Sequence, residues 1–180
     1  MTSKPLAPHD ERHLLDRVAA GDERALREVI DRYGGTVFGT AARLLGSEDD
    51  ADDVVQDVFI GLPAALGRYD HQDRFDAWLR RLAARLALIR LRRARRRARI
   101  LDVFSGSPRT SAPADVAERI DLEQAIRELP EELRIVFVLK VVVGHTHGEI
   151  GQLLGIRRGT SEVRLFRAIR RLRTALGDPS

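Results

Sequence analysis

Apolar residues recur at three- and four-residue intervals along most of the chain, and no stretch sustains the two-residue alternation of a half-buried strand. This pattern predicts an all-α protein. Leu14, Leu15 and Val18 mark a short first helix. Gly21-Asp22 is a stop followed by a new N-cap. Leu26, Val29, Ile30 and Tyr33 give the next helix, which Gly34-Gly35 is expected to interrupt. Val37, Phe38, Ala41, Leu44 and Leu45 form a third, closed by Gly46. Ser47 caps the following helix, whose first turn carries Glu48, Asp49 and Asp50, suited to a positive helix N-terminus. Its buried face is Val54, Val55, Val58, Phe59 and Leu62. Turn signals run from Pro63 to Asp73, and Phe75, Trp78, Leu79, Leu82, Leu86 and Ile89 then hold helical spacing.

Periodicity restarts with Ile120, Leu122, Ile126 and Leu129. It continues past Pro130 with Leu133, Val136, Phe137 and Val141, up to Gly144. The run Ile135–Val143 is β-branched and reads as helix because of its neighbours. Thr146-His-Gly-Glu149 has the form of a capping box ahead of Ile150, Leu153 and Leu154, and Gly155 ends that short helix. Past Gly159-Thr160 comes a last helix, with Leu165, Ile169 and Leu172 on one face. A short capped helix, a glycine turn and a second arginine-rich helix make a helix-turn-helix, whose second helix would enter the DNA major groove. The plainer alternative is a helical hairpin whose arginines only solvate it. Charge favours DNA: Arg157, Arg158, Arg164, Arg167, Arg170, Arg171 and Arg173 face a single acid, Glu162. A face meant for solubility usually mixes signs.

Between the two periodic regions, Val103 to Ala117 is rich in Ser, Pro and Gly and reads as a flexible linker. The expected organisation is therefore two small helical domains: a frayed tail over 1–10 with Pro5 and Pro8 breaking structure, a helical bundle over 11–100, a linker over 101–117, and the helix-turn-helix domain over 118–177.

Composition narrows the chemistry. There is no cysteine, which excludes disulfides, thiolate metal sites and cysteine nucleophiles. Basic residues are nearly all arginine, lysine appearing only as Lys4 and Lys140, and arginine suits forked contacts to phosphate and guanine. From Arg80 to Arg99 there are ten arginines and no acid, a run that a polyanion would relieve of self-repulsion. Tyr69, Phe75 and Trp78 lie just ahead of it, and an aromatic beside a basic groove can hold an unstacked base. The cluster of carboxylates between Asp49 and Asp57 points to several sides of a helix with no histidine nearby, so a decorated helix start or an acidic docking face is expected rather than a metal site. No cofactor is implied. Neither a signal-peptide core nor a run long enough to span a bilayer is present, so a cytoplasmic protein without membrane insertion is expected.

Taken together, these segments resemble the extracytoplasmic-function sigma factors, the small promoter-specificity subunits of bacterial RNA polymerase. Ala20–Leu26, Asp52–Phe59 and Phe75–Leu79 with the arginine-rich helix resemble the family's domain two. Leu129-Pro-Glu, Gly144–Gly155, Gly159-Thr160, Arg164-Leu165 and Arg167-Ala168 resemble its domain four. The resemblance implies that Asp53, Gln56 and Asp57 dock core polymerase. It implies that Tyr69, Arg74, Phe75, Trp78, Arg81 and Arg85 recognise and help melt the minus-ten element. It assigns the minus-thirty-five element to Arg157, Arg158, Thr160, Glu162, Val163, Phe166, Arg167 and Arg170. Partners would be core RNA polymerase, promoter DNA and an anti-sigma factor; the chain itself would do no bond chemistry.

Four places depart from the family pattern. Arg85 and Ile89 stand where Asn and Asp are usual. Arg157 replaces a capping serine, and Ser161-Glu162-Val163 replaces Val-Lys-Ser. Glu162 would repel phosphate but could accept from cytosine N4, so an unusual or weaker minus-thirty-five interaction is expected. Two other functions remain open from sequence: a DNA-binding regulator without polymerase contact, and a metal-dependent enzyme built on the Asp49–Asp57 carboxylates.

Overall fold

The computed structural model describes residues 8–70, 74–105 and 121–177. Among them are eight α-helices, one π-helical turn and no strand. The helices are α1 (Pro8–Ala19), α2 (Glu23–Leu45), α3 (Glu48–Leu66), α4 (Phe75–Ser105), α5 (Leu122–Glu128), α6 (Glu131–Phe137), α7 (His147–Leu154) and α8 (Arg158–Ala175), with the π-helical turn at Val138–Val142. The described residues fall into two compact units. One runs to Ala87 and includes Val142–Gly144; the other takes in Leu88 to Val141 and the residues from His145 on.

In the first unit, local chemistry sets the helix ends. Asp22 caps α2 by accepting from the Arg24 and Ala25 amides at 2.8 and 3.2 Å. Arg17 bonds the same carboxylate and, with those amides, holds its pKa below the usual carboxylate value. Gly46 closes α2 at φ 71°, and Ser47 caps α3 by accepting from Asp50 N. Leu14, Leu15 and Val18 are buried as the spacing predicts.

Three expectations for this unit are corrected. Pro8 opens α1 instead of breaking the chain, since a first-turn proline forfeits no intrahelical bond. Gly34-Gly35 does not divide α2. Each glycine costs about 1 kcal/mol against alanine, but Val29, Tyr33, Val37, Thr40 and Leu44 form one buried stripe across the pair, and packing outweighs propensity. Likewise α3 continues through Pro63, because Leu62 and Leu66 on either side are both buried.

α4 runs through Ser105, five residues into the span expected as linker. Residues 106–120, with most of that linker, and residues 1–7 of the expected frayed tail lie outside the described residues.

In the second unit, α5, α6 and α7 pack on α8. Leu129, Leu133, Val136, Leu139, Ile150, Ala168 and Leu172 supply the core. The β-branched run is helical: it forms α6 and the π turn, and Gly144 ends it at φ 88°. Arg134 is buried and donates to the Arg127 and Leu129 carbonyls at 3.0 and 3.4 Å, satisfying the C-terminal end of α5.

Candidate functional site

α3 presents its polar face cleanly. Ala51, Val54, Val58, Phe59, Leu62 and Leu66 are buried, while Asp53, Gln56 and Asp57 are exposed. Ile60 belongs with them and was not singled out from the sequence. It is 80% exposed and lies three, four and seven residues beyond Asp57, Gln56 and Asp53, at the C-terminal end of the same face. The spacing was available to find it. Among the described residues, no group of three or more His, Cys, Asp or Glu side chains is arranged to hold a metal ion.

At the start of α4, four aromatic rings cluster. Phe75 meets Tyr33 edge-on at 4.9 Å and Tyr69 at 5.5 Å, and stacks on Trp78 at 5.7 Å; Tyr69 and Trp78 are 5.1 Å apart. Phe75 and Tyr69 are buried, so they form the floor of the cluster, and Trp78 is the ring that keeps surface. Arg74, Trp78, Arg81 and Arg85 follow at intervals of four, three and four, which sets them in one stripe. Arg74, Arg81 and Arg85 are exposed along it; Arg74 lies 3.3 Å from Asp76, which also pairs with Arg80. Farther along the arginine run, within the second unit, Arg95 donates through Nε to Glu131 at 2.7 Å and Arg92 donates to the Leu153 carbonyl.

The helix-turn-helix takes the form its sequence predicts. Thr146 Oγ1 accepts from Glu149 N, and the Glu149 carboxylate accepts from Thr146 N at 2.6 Å, completing the capping box. Gly155 closes α7 at φ 67°. Gly151 lets the turn cross α7: a Cβ there would lie 2.8 Å from the Ile156 carbonyl oxygen. Arg157 is the N-cap of α8 and makes no side-chain capping bond, as its chemistry requires.

α8 begins at Arg158, so Gly159-Thr160 lie within its first turn. Its buried face is Ser161, Ala168 and Leu172. Ile169, expected on that face, is exposed, because Ala168 takes the inward position. Ser161, at the position where an apolar residue is usual, is fully buried, and its hydroxyl lies 2.9 Å from His147 Nδ1. Sequence reasoning did not find that partner.

On the opposite side of α8, Val163, Phe166, Arg167 and Arg170 form a stripe at i, i+3, i+4 and i+7. Val163 is 49% and Phe166 68% exposed. Arg157, Arg158, Thr160 and Glu162 are exposed on the first turn and a half. Arg164 instead turns onto α6, where it pairs with Glu132 at 2.6 Å.

Comparison with known proteins gives this arrangement its context. Residues 29–97 match the family model of sigma-70 region 2, and residues 119–172 match that of sigma-70 region 4. The RNA polymerase sigma factor CarQ of Myxococcus xanthus is 31% identical, over 91% of this chain and 96% of its own. The ECF RNA polymerase sigma factor SigW of Bacillus subtilis is 28% identical, over 91% and 95%. The chain belongs to the extracytoplasmic-function RNA polymerase sigma factors.

Among solved structures, CnrH in complex with the cytosolic domain of CnrY matches 94% of this sigma factor at 29% identity and a TM-score of 0.52. RpoE of Bartonella quintana, in complex with the anti-sigma factor NepR, shares the fold at a TM-score of 0.56 and 21% identity. As a sigma factor the chain directs RNA polymerase to promoters, with a region-two unit ahead of a helix-turn-helix unit. Among the described residues no helix is long and apolar enough to cross a membrane.

Proposed function

We propose that three exposed faces divide the work of this sigma factor. The α3 face of Asp53, Gln56, Asp57 and Ile60 docks core RNA polymerase. Two carboxylates and an amide leading up to one exposed apolar side chain suit a basic protein surface, where charge steers the encounter and the apolar contact is desolvated on docking.

The α4 stripe engages the minus-ten element. Arg74, Arg81 and Arg85 contact phosphates, while Trp78 offers a face to an unstacked base. Stacking of that kind is worth about 1–3 kcal/mol per base, and together with the phosphate contacts it offsets unpairing that costs a few kcal/mol. Tyr69 and Phe75 act from beneath, holding Trp78 in place.

α8 reads the minus-thirty-five element in the major groove. Arg157, Arg158, Arg167 and Arg170 meet phosphates or guanine, Val163 and Phe166 supply apolar contact to thymine methyls, and Thr160 and Glu162 offer hydrogen-bonding groups to base edges. One observation carries this assignment. Val163, Phe166, Arg167 and Arg170 lie directly opposite the buried Ser161, Ala168 and Leu172, so the face left to solvent is the face that carries the groove chemistry.

The protein would act in the cytoplasm, where polymerase and promoter DNA meet. The two solved relatives, one bound to the cytosolic domain of CnrY and the other to the anti-sigma factor NepR, support an anti-sigma factor as a further partner. Co-elution with core polymerase, followed by footprinting of the complex on promoter fragments, tests the assignment. Protection at both elements supports it. A complex that forms without the minus-thirty-five footprint would remove α8 from the reading.

A further inference from the structure

His147 is the first residue of α7, and Ser161 lies one turn into α8. Ser161 Oγ is 2.9 Å from His147 Nδ1. Ser161 is fully buried between the two helices of the helix-turn-helix, while His147 is half-buried at their edge. An apolar side chain at 161 would pack without directional preference. A hydroxyl cannot be left so: buried without a partner it is costly, and with one it is held at a defined distance and angle. The partner works in either imidazole tautomer, because a serine hydroxyl can donate to a bare Nδ1 or accept from Nδ1–H.

The bond ties the start of α7 to the side of α8 that faces away from solvent. Glu162 and Val163 follow Ser161 immediately, and Phe166 follows one turn later. A rotation of α8 about its axis would carry all three around with it. Leu172 and the Arg164–Glu132 pair hold α8 farther along its length, and the Ser161 bond adds a directional restraint at the end that carries Glu162 and Val163.

We propose that His147 is a positioning residue for the recognition helix: its hydrogen bond to buried Ser161 sets the rotation of α8, and with it the register in which Glu162, Val163 and Phe166 meet the base edges. The proposal rests on the assignment of α8 to the minus-thirty-five element. It makes His147 a determinant of promoter discrimination without itself touching a base.

The test uses full-length protein bound to core polymerase. The probe is the duplex that the wild-type complex selects from a pool randomised at the minus-thirty-five position, set against duplexes carrying single base-pair changes. The readout is the ratio of affinities for selected and changed duplexes, which does not depend on how much protein is active. His147→Ala and Ser161→Ala should each lower that ratio about three- to tenfold, the equivalent of one net hydrogen bond. The double variant should fall no further than either single one. His147→Asn, whose amide can occupy the place of Nδ1, should keep the ratio within about twofold of wild type. Ser161→Ala leaves no buried orphan hydroxyl, so it serves even if His147→Ala folds poorly. An unchanged ratio in His147→Ala and Ser161→Ala, with only stability or overall affinity reduced, would make the contact purely structural and overturn the proposal. A wild-type complex that binds polymerase but discriminates among no duplexes would instead remove the α8 assignment, and this proposal with it.

Discussion

Arg158 Nε donates to Glu162 Oε1 at 2.9 Å, one turn apart on the exposed side of the recognition helix. The only acid of α8 is therefore engaged by a neighbouring arginine. An exposed pair of this spacing adds little stability, but it offsets positive charge on the side of α8 proposed to meet DNA. Glu162→Lys should accordingly raise affinity for any duplex and steepen the slope of log affinity against log salt by about one to two units. Arg167→Ala should flatten the slope by about one unit. If Glu162 accepts from a cytosine, Glu162→Ala will change preference at one base pair; equal effects on every sequence would exclude it as a reader. Binding titrations at four salt concentrations measure all three.

Gly151 sits where a Cβ would meet the Ile156 carbonyl at 2.8 Å, and that oxygen belongs to backbone that cannot step aside cheaply. Gly151→Ala is expected to lower the stability of the helix-turn-helix by about 1–3 kcal/mol, the usual range for overpacking. Gly159→Ala, with open space around its Cβ position, should leave stability unchanged or slightly improved. Urea unfolding of the two variants, followed by circular dichroism, makes the comparison.

Much of the local structure was legible because it depends on residues a few positions apart. The Asp22 and Ser47 caps, the Thr146–Glu149 box and the Gly155 stop each involve short-range chemistry that the sequence displays directly. Gly34-Gly35 and Pro63 misled for the opposite reason: burial of Tyr33, Val37, Leu62 and Leu66 against other helices decides those positions, and no local signal reports it. The candidate site divides the same way. The polar face of α3 follows from helical spacing, which also contained Ile60. The inward turn of Ala168 in place of Ile169 and the His147–Ser161 contact depend on how helices meet, which spacing along one helix does not specify.

The α3 face should respond to charge reversal without unfolding. Asp53 and Asp57 are exposed, so Asp53→Lys and Asp57→Lys are expected to leave the melting temperature within a degree or two, at the roughly 0.5 kcal/mol level of most surface changes. Each should weaken core-polymerase binding about tenfold or more, because like charges placed opposite a basic surface cost more than a lost contact. Ile60→Ala should weaken it less and independently of salt. Fluorescence anisotropy of labelled protein against core polymerase separates the two effects.

Tyr33 donates its hydroxyl to Glu11 at 2.6 Å, and burial, then the Glu11 carboxylate, push its ionisation above the usual tyrosine value of 10.0. The unfolded chain ionises Tyr33 near pH 10 while the native one stays protonated. Above that pH the unfolded state binds fewer protons, so this contribution to stability is complete below pH 10 and is lost as pH rises beyond it. The melting temperature should fall more steeply above pH 10 in the wild type than in Tyr33→Phe, although the variant starts lower at neutral pH. Thermal scans from pH 7 to pH 11 check both slopes.

Trp78 is the one ring of the four-ring cluster proposed to meet DNA. Trp78→Ala should slow promoter opening while leaving core-polymerase binding intact, at a cost of about 1–3 kcal/mol in the stability of the open complex. Permanganate reactivity of unpaired thymines reports it. Loss of polymerase binding in parallel would mean that the cluster serves folding alone.

This chain gives core RNA polymerase its promoter specificity, and run-off transcription tests that role most directly. Purified core polymerase would be supplied with a pool of genomic fragments, with and without the protein. Discrete transcripts that require the protein, and that disappear with Asp57→Lys, are the predicted result. Silence from a polymerase that fails to co-elute with the protein would contradict the account.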